Sequence, residues 1–347
     1  MSIAIAACGA RTAVGLGAEA TAAAVRAGIS RLGLHPRFVD TTGDSVRLAY
    51  DASLDLDLRA PERMAVLGLS ATEEALKVLG GSMKLGLYIA GPEPRPGAGK
   101  EALQPVSTSL TGALVERFEV VASRVFPFGH AAGASALQAA TSDLAANAVE
   151  VALVVGVDSY VDHETLAWLD ATRQLDHDRC RAGFTPGEGA AALVLVQSGR
   201  SRSLRLPELA SIVGVGLAME PITIDSSAPV LGLGLTAAMK QATAHLKYPQ
   251  NKITTAYCDI NGQRYRSEEF MYVPLRLWAP FVDANAYEAP ADCWGDIGAA
   301  SLPAFMNLIV QSGRRGYAKG PYNLGWASSV GGRRGATLLK LPKRKNA

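Results

Sequence analysis

The chain has 347 residues, of which 48% are hydrophobic and 19% are charged, and its formal net charge at pH 7 is +2. This composition is that of a globular α/β protein and excludes a disordered or fibrous chain. The small net charge gives no overall reason to expect nucleic-acid binding, and no charge-free run of about 20 apolar residues predicts a membrane span.

The cysteines and the chain ends add three expectations. No two of Cys8, Cys180, Cys258 and Cys293 have the C-x-x-C spacing of a zinc ribbon or redox pair, so a reducing compartment is expected. The apolar N-terminus lacks leading basic residues, which predicts a first strand rather than a signal peptide and therefore a cytoplasmic protein. From residue 311 onward there are nine Lys or Arg residues and no acid. This basic segment would suit an acidic partner, although a solvated face and a frayed basic tail are the more common explanation for at least half of these charges.

In chain order, the first half alternates short apolar segments with segments of helical periodicity. Strands are predicted at residues 2–8, 85–90, 120–125, 151–157 and 190–196. Helices are predicted at residues 18–28, 64–79, 112–118, 131–146 and 163–170. Residues 29–65 are rich in turns, and the Pro/Gly loop 91–97 is expected to be flexible or to lie on the surface. The continuous apolar run 151–157 is typical of a strand buried on both faces of a parallel sheet.

A Ser/Arg-rich stretch at residues 198–206 is the predicted linker to a second half of similar style. The second half has predicted strands at residues 208–217, 253–259, 322–328 and 337–341. Its predicted helices lie within residues 227–246, 261–277 and 296–310. Two halves that both alternate strand and helix predict a duplicated α/β unit, with an N-terminal half of residues 1–200 and a C-terminal half of residues 207–347.

The chain is organised around the turn at residues 126–134, which has the sequence FPFGHAAGA. Its small residues allow a sharp bend between a predicted strand and an Ala-rich helix, and they place His130 at the helix N-terminus. Free N–H groups and the helix dipole favour negative charge there. A cysteine in this setting is activated as a nucleophile, but the residue here is a histidine.

Five motifs in order resemble those of the β-ketoacyl synthases, which have the thiolase fold. They are the opening strand with Arg11-Thr12 and VGLG at 14–17, HAAG at 130–133 with VVGVD at 154–158, RAGFTPGEGAA at 181–191, IGAA at 297–300, and SVGG at 329–332. The resemblance covers almost the whole chain. It implies an α/β protein with a thiolase-like fold of duplicated, five-layered αβαβα architecture.

The same resemblance implies that the catalytic groups have been lost. The family uses a nucleophilic cysteine, two histidines and usually a lysine. Other residue types stand at these places: His130 for the cysteine, Cys258 or Asp259 for the first histidine, and Gly295 or Asp296 for the second. The lysine position falls near Pro290, and Val330 replaces a gating phenylalanine. Each such group is worth roughly 10²–10³ in rate, so the resemblance implies a pseudoenzyme.

Alternatives remain open for the individual residues. His130 either acts as a neutral base or hydrogen-bond donor, or fills the former pocket as a structural residue. Cys258 and Cys293 are expected on turns that approach His130, where a displaced Cys/His pair with Asp259 or Asp296 would be an acyltransferase site or a metal site. Buried cysteines also occur as small hydrophobic residues. The sequence predicts a vestigial pocket with no catalytic residue, no metal and no cofactor. The Gly232–Ala237 run lacks the strand and acid of a dinucleotide site.

These expectations combine into a function of binding rather than catalysis. The chain is predicted to be a scaffold, adaptor or chaperone that forms a homodimer, or a heterodimer with a thiolase-like paralogue, through residues 120–128. Residues 261–269 resemble stretches of degenerate thiolase-like proteins from bacterial type VI secretion-effector clusters, so a secreted effector is one candidate partner. An acyl carrier protein is another, whereas nucleic acid and membrane are not expected. The alternatives are a 3-oxoacyl synthase or acyltransferase with a rearranged site, and a chain-length-factor-like partner of an active ketosynthase.

Overall fold

The computed structural model describes residues 2–176, 182–224, 226 and 228–343. The strands are β1 (Ile3–Thr12), β2 (Gly33–Val39), β3 (Ser45–Leu48), β4 (Lys84–Gly91), β5 (Glu119–Pro127), β6 (Val151–Ser159), β7 (Glu188–Gln197), β8 (Ala210–Met219), β9 (Ile253–Cys258), β10 (Tyr322–Ser328) and β11 (Arg333–Lys340). The helices are α1 (Ala18–Arg26), α2 (Ala60–Leu76), α3 (Gln104–Val115), α4 (Ala132–Ala145), α5 (His163–Ala171), α6 (Ser198–Ser201), α7 (Leu233–Ala242), α8 (Arg264–Arg276), α9 (Ala291–Trp294) and α10 (Ser301–Arg315). Each predicted strand and helix overlaps an observed one.

Nine strands form one sheet in the order β5-β4-β6-β7-β1-β8-β11-β10-β9. In its first part, β4 pairs parallel with β5 and β6, whereas β7 pairs antiparallel with β6 and β1. In its second part, β10 pairs parallel with β9, and β11 pairs antiparallel with β10 and β8. The second part therefore repeats the pairing pattern of the first with one parallel strand fewer, four strands against five, and a short antiparallel contact between β1 and β8 joins the two parts. The domain boundaries given above stay a prediction.

Three hydrophobic cores stack the elements into five layers. The side chains of β4 alternate between two of these cores: Leu85, Leu87 and Ile89 pack with α2 and α3, whereas Tyr88 and Ala90 pack with α4 and α10. The third core joins α7 and α8 to the strands of the second part. Helices α4 and α10 contact strands of both parts, so they form the central layer. The predicted αβαβα architecture is confirmed.

Three local predictions need correction. A turn was expected after Cys8, but β1 continues to Thr12, which pairs with Gly189. Gly9 is not a turn residue but allows close packing of β1 against α2. A Cβ at this position would lie 1.9 Å from the carbonyl oxygen of Ala71. Residues 29–65 contain the β2–β3 hairpin and the start of α2. The loop 91–97 is not simply laid on the surface, because several of its side chains turn inward.

Within the described residues, no helix has both the length and the apolar character needed to cross a bilayer. The longest helix, α2, has 17 residues and carries charged side chains.

Candidate functional site

Two short turns, one in each part of the fold, meet in the centre of the molecule. The first follows β5 and consists of a 3₁₀ turn at Gly129–Ala131, with Gly129 at φ +68°. The second consists of a 3₁₀ turn at Gly298–Ala300 directly before α10. Glycine is required at the first position of this turn as well, because a Cβ on Gly298, at φ +51°, would lie 1.9 Å from the Asp158 carboxylate. The two turns place His130 and Asp296 face to face.

His130 is buried and contacts two charged side chains through one ring nitrogen. Its Nε2 lies 2.8 Å and 2.9 Å from the two carboxylate oxygens of Asp296. The same Nε2 lies 3.2 Å from Nη2 of Arg266. A protonated Nε2 donates to Asp296, whereas a deprotonated one accepts from Arg266. In both states this nitrogen has a partner within the protein.

Arg266, on α8, connects His130 to the end of β9. Its Nη1 donates to the Asp259 carboxylate and, at 2.7 Å, to the Ser328 carbonyl oxygen. Its Nε donates to Oε1 of Gln263 at 3.1 Å. Asp259 also accepts from the Ser328 N–H at 2.7 Å. The guanidinium is therefore held from several sides and fixes the distance between the two turns and α8.

Asp296 carries the most strongly perturbed carboxyl group of this cluster. Burial alone would raise its pKa, but the charge and hydrogen bond of His130, the charge of Arg266 and the Gly298 N–H outweigh burial and hold the pKa well below its usual range. The Gly298 N–H donates to it at 2.7 Å, and Asn261 donates through its side-chain amide. Asp296 is therefore a permanent anion whose role is to organise donors around it.

A cavity of about 150 Å³ lies over this cluster. Its polar wall includes the ion pair between Arg95 and Asp158, at 2.6 Å, and the half-buried Glu93. Its apolar wall includes Trp168 and Phe184. Burial raises the pKa of Glu93. The N–H groups of Val330 and Gly331 and the charges of His130 and Arg266 oppose this shift. A cavity of this volume is small beside the 300–1,000 Å³, roughly, of typical ligand pockets.

Some of the residues predicted to form the vestigial pocket lie at the cavity, and others do not. His130, Asp296 and Val330 line the cavity, and Asp259 reaches it only through Arg266. Gly295, at φ +69°, lies beside it against the 185–186 backbone, where a Cβ would be 2.8 Å from the Pro186 carbonyl oxygen.

The two cysteines do not approach His130, which corrects the prediction made for them. Successive side chains of a strand point to opposite faces, so Cys258 at the end of β9 faces the outer core with Trp326, whereas Tyr257 faces the central helices. The short helix α9 turns Cys293 toward a separate surface pocket beside α1. Burial raises the pKa of both thiols, which disfavours the reactive thiolate. Cys180 lies outside the described residues.

Sequence reasoning missed three residues that shape the site. Glu93 and Arg95 were placed in a loop expected to be flexible or to lie on the surface, and Arg266 was noted only as part of residues 261–269. Their partners are distant in sequence: Arg95 pairs with Asp158, and Arg266 reaches His130. The one available signal was the buried-strand pattern of residues 85–90, because a loop that leaves a buried strand starts inside the protein. In the described residues, no group of three or more His, Cys, Asp or Glu side chains is arranged to hold a metal ion.

A family model, the N-terminal domain of β-ketoacyl synthase, matches residues 129–199, which include the His130 turn, β6 and β7. No curated protein matches the sequence. Among solved structures, the ketosynthase from module 6 of the bacillaene synthase of Bacillus subtilis 168 has 14% identity and a TM-score of 0.80, over 99% of this chain and 73% of that one.

Two further solved structures cover this chain almost completely. The ishigamide ketosynthase/chain length factor has 16% identity and a TM-score of 0.74, over 99% of this chain and 100% of that one. A type II PKS acyl-carrier protein in complex with its ketosynthase has 12% identity and a TM-score of 0.78, over 99% of each chain. At such low identity these similarities show the fold. The chain thus has the thiolase-like fold of the ketosynthases, and the predicted resemblance to them is confirmed.

Proposed function

We propose that this ketosynthase-like chain has lost condensing activity and acts by binding another protein, as a scaffold, adaptor or chaperone. One observation carries the proposal: the turn that would present a nucleophile presents His130, whose Nε2 is engaged by Asp296 or Arg266. Condensation needs a covalent acyl carrier and donors to the developing enolate. No cysteine side chain lines the cavity in the described part of the chain, and the cavity is too small for a long acyl chain.

Acyl transfer by a displaced cysteine is the enzymatic alternative, and the positions of the thiols argue against it. Cys258 lies in the outer core, with its Sγ 3.6 Å from the Glu288 carbonyl oxygen. Cys293 belongs to a different pocket from His130, and its raised pKa keeps it a thiol at neutral pH. Among the described residues, no histidine lines the pocket that contains Cys293, so this thiol lacks an imidazole partner of the kind that activates a cysteine nucleophile.

Incubation with acetyl-, malonyl- and octanoyl-thioesters, followed by intact-protein mass spectrometry, tests the loss of activity. We expect no covalent acyl adduct, whereas a cysteine-bearing ketosynthase treated in parallel becomes acylated. An adduct on any residue of this chain, located by peptide mapping, would contradict the proposal. A Cys258→Ser/Cys293→Ser double variant then shows whether a displaced thiol is responsible.

The partner is proposed to bind at the open edge of the sheet. Among the residues that the structure describes, strand β5 pairs with β4 alone, and its Val121 and Val125 are 42% and 40% exposed. An edge strand with exposed apolar side chains is a template for pairing with another chain. The printed name of one neighbour, a ketosynthase/chain length factor, supports a heterodimer with a paralogue as the second candidate. A secreted type VI effector, an acyl carrier protein and a cytoplasmic location stay parts of this proposal.

Replacing both edge valines, Val121→Lys and Val125→Lys, is expected to convert a dimer into a monomer, because two lysines oppose strand pairing at that edge. Light scattering after size-exclusion chromatography measures the change. Val66→Lys is the matched control, because Val66 is 38% exposed on α2, which packs on β1, β6 and β7, and this variant should leave the mass unchanged. A double variant that stays dimeric would show that the interface lies elsewhere. A wild-type monomer would exclude the homodimer in favour of a paralogue.

A further inference from the structure

The outer face of α8 changes character along its length. Its first half carries Arg264 and Glu268, which pair with each other as expected on a solvated helix face. Its second half presents Met271 and Leu275, which are 58% and 75% exposed. Trp278 follows the helix and is 68% exposed. An outer-layer helix normally has polar residues on this side, and clustered exposed apolar side chains mark interaction sites.

The loop after α8 extends this apolar surface. The N–H of Phe281 donates to the Trp278 carbonyl oxygen at 3.1 Å, which folds the loop back into a turn. The N–H of Val282 donates to the Ile253 carbonyl oxygen at 3.0 Å, and the Val282 side chain is 66% exposed. Met271, Leu275, Trp278 and Val282 are therefore called the α8 patch.

Basic residues lie on the chain segments that border the α8 patch. Arg276 lies between Leu275 and Trp278, and it donates to the Leu231 carbonyl oxygen. Lys252 directly precedes Ile253, whose N–H donates to the Pro280 carbonyl oxygen at 2.8 Å. Lys247 belongs to the same turn, since the Asn251 N–H donates to its carbonyl oxygen at 2.9 Å. Two acids border the patch as well, Asp283 and Glu268, and Glu268 pairs with Arg264. Counting Arg264 with Arg276, Lys247 and Lys252, the four basic residues exceed the two acids, so the border of the patch is net positive.

We propose that the α8 patch is a docking site for an acidic amphipathic helix of a partner protein. The apolar face of such a helix would cover Leu275 and Trp278, and its flanking carboxylates would meet Arg276, Lys247 and Lys252. Trp278 supplies the large aromatic contact that dominates many interfaces.

Two other occupants fit the charges less well. A second copy of this chain would bring an identical basic rim to the same place, and the like charges would repel. An anionic membrane would gain only about 1 kcal/mol for each basic residue, and lipid-binding segments typically gather about four to eight of them. The inference deepens the proposed binding role. It concerns a surface separate from both β5 and the His130 cavity, so the two proposals can fail independently.

Fluorescence anisotropy with the full chain and a labelled peptide tests the docking site. The peptide is an amphipathic helix of about 18 residues with leucines along one face and glutamates along the others, and its counterpart has lysine in place of every glutamate. We expect the acidic peptide to bind, to lose affinity as salt increases, and to bind at least about tenfold more weakly to the Leu275→Ser/Trp278→Ser variant. The lysine peptide is expected not to bind.

Matched variants distinguish peptide binding at the α8 patch from general effects of substitution on peptide affinity. Val115→Ser replaces an apolar side chain of similar exposure on α3 and should leave peptide affinity unchanged. The Lys247→Glu/Lys252→Glu variant should bind the acidic peptide more weakly and should bind the lysine peptide. Absent binding of the acidic peptide, or equal binding of both peptides, would overturn the proposal. So would a change of oligomeric mass in the Leu275→Ser/Trp278→Ser variant, or binding of the wild type to phosphatidylglycerol vesicles that this variant abolishes.

Discussion

Replacing Arg63 with methionine should lower the free energy of unfolding by about 3–5 kcal/mol, because it leaves a buried carboxylate without its cation. Arg63 on α2 and Glu188 at the start of β7 are both fully buried, and their charged groups are joined by contacts of 2.6 Å and 2.7 Å. Glu188 also accepts from Ser159 Oγ at 2.8 Å and from the Asp51 N–H at 2.9 Å. Total stability for a domain is about 5–15 kcal/mol, so the loss is a large fraction.

Urea denaturation monitored by circular dichroism measures the loss, and two controls identify its cause. The Arg63→Met/Glu188→Met double variant removes both charges and should recover most of the stability, since no unpaired charge remains. Arg37→Met breaks the exposed pair with Asp57 and should cost less than about 1 kcal/mol. If Arg63→Met does not fold, the double variant is still expected to do so. A double variant as unstable as the single one would show that packing, not the unpaired charge, sets the cost.

Replacing Asp296 with alanine should cost about 3 kcal/mol at pH 7, because the carboxylate accepts several charged or buried donors. His130, Asn261 and the Gly298 N–H lose their common acceptor, and Arg266 loses a nearby counter-charge. Asp296→Asn keeps the shape and one acceptor oxygen, so its cost should be smaller. The Asp57→Asn variant, at the exposed ion pair with Arg37, is the control and should cost little.

The cost of Asp296→Asn should depend on pH in a defined direction. The pKa of Asp296 is lower in the folded protein than its ordinary value of 3.8, so folding favours the ionised form. The stabilisation is therefore complete above pH 4 or so and is lost as the pH falls toward the folded-state pKa. Denaturation midpoints should be measured at pH 7, 5 and 3.5. The difference in midpoint between wild type and Asp296→Asn should become smaller only at the lowest pH. A gap of constant size would mean that the charge of Asp296 is not what stabilises the fold.

The sequence allowed the fold to be predicted because its strongest signals are local. The apolar run in β6 and the small residues around His130 each dictate a strand or a turn without reference to distant residues. The ordered motifs then fixed how these pieces combine. Asp296 could be placed in one pocket with His130 in this way, since it stands directly before the IGAA motif at residues 297–300.

The rest of the site depends on contacts that no local pattern records. Arg95 and Asp158 lie on separate elements and pair only in the folded protein, as do Arg266 and His130. Cys258 was misplaced because a shift of one residue along β9 exchanges the central face for the outer face. Such contacts depend on the register of strands and the rotation of α8, both of which are set by tertiary packing.

The two edges of the nine-stranded sheet, at β5 and at β9, differ. This difference determines how many protomers can assemble by strand pairing. Beside β9, residues Phe281 and Glu288 form bridges to Ile253 and Tyr257, so a chain segment already covers that end. At the opposite end, the structure pairs β5 with β4 only, within the residues it describes. A protomer with one available end adds one neighbour and then stops, whereas a fibre requires two complementary ends on every subunit. Sheet pairing should therefore produce closed pairs of fixed stoichiometry, and raising the protein concentration should not lengthen them.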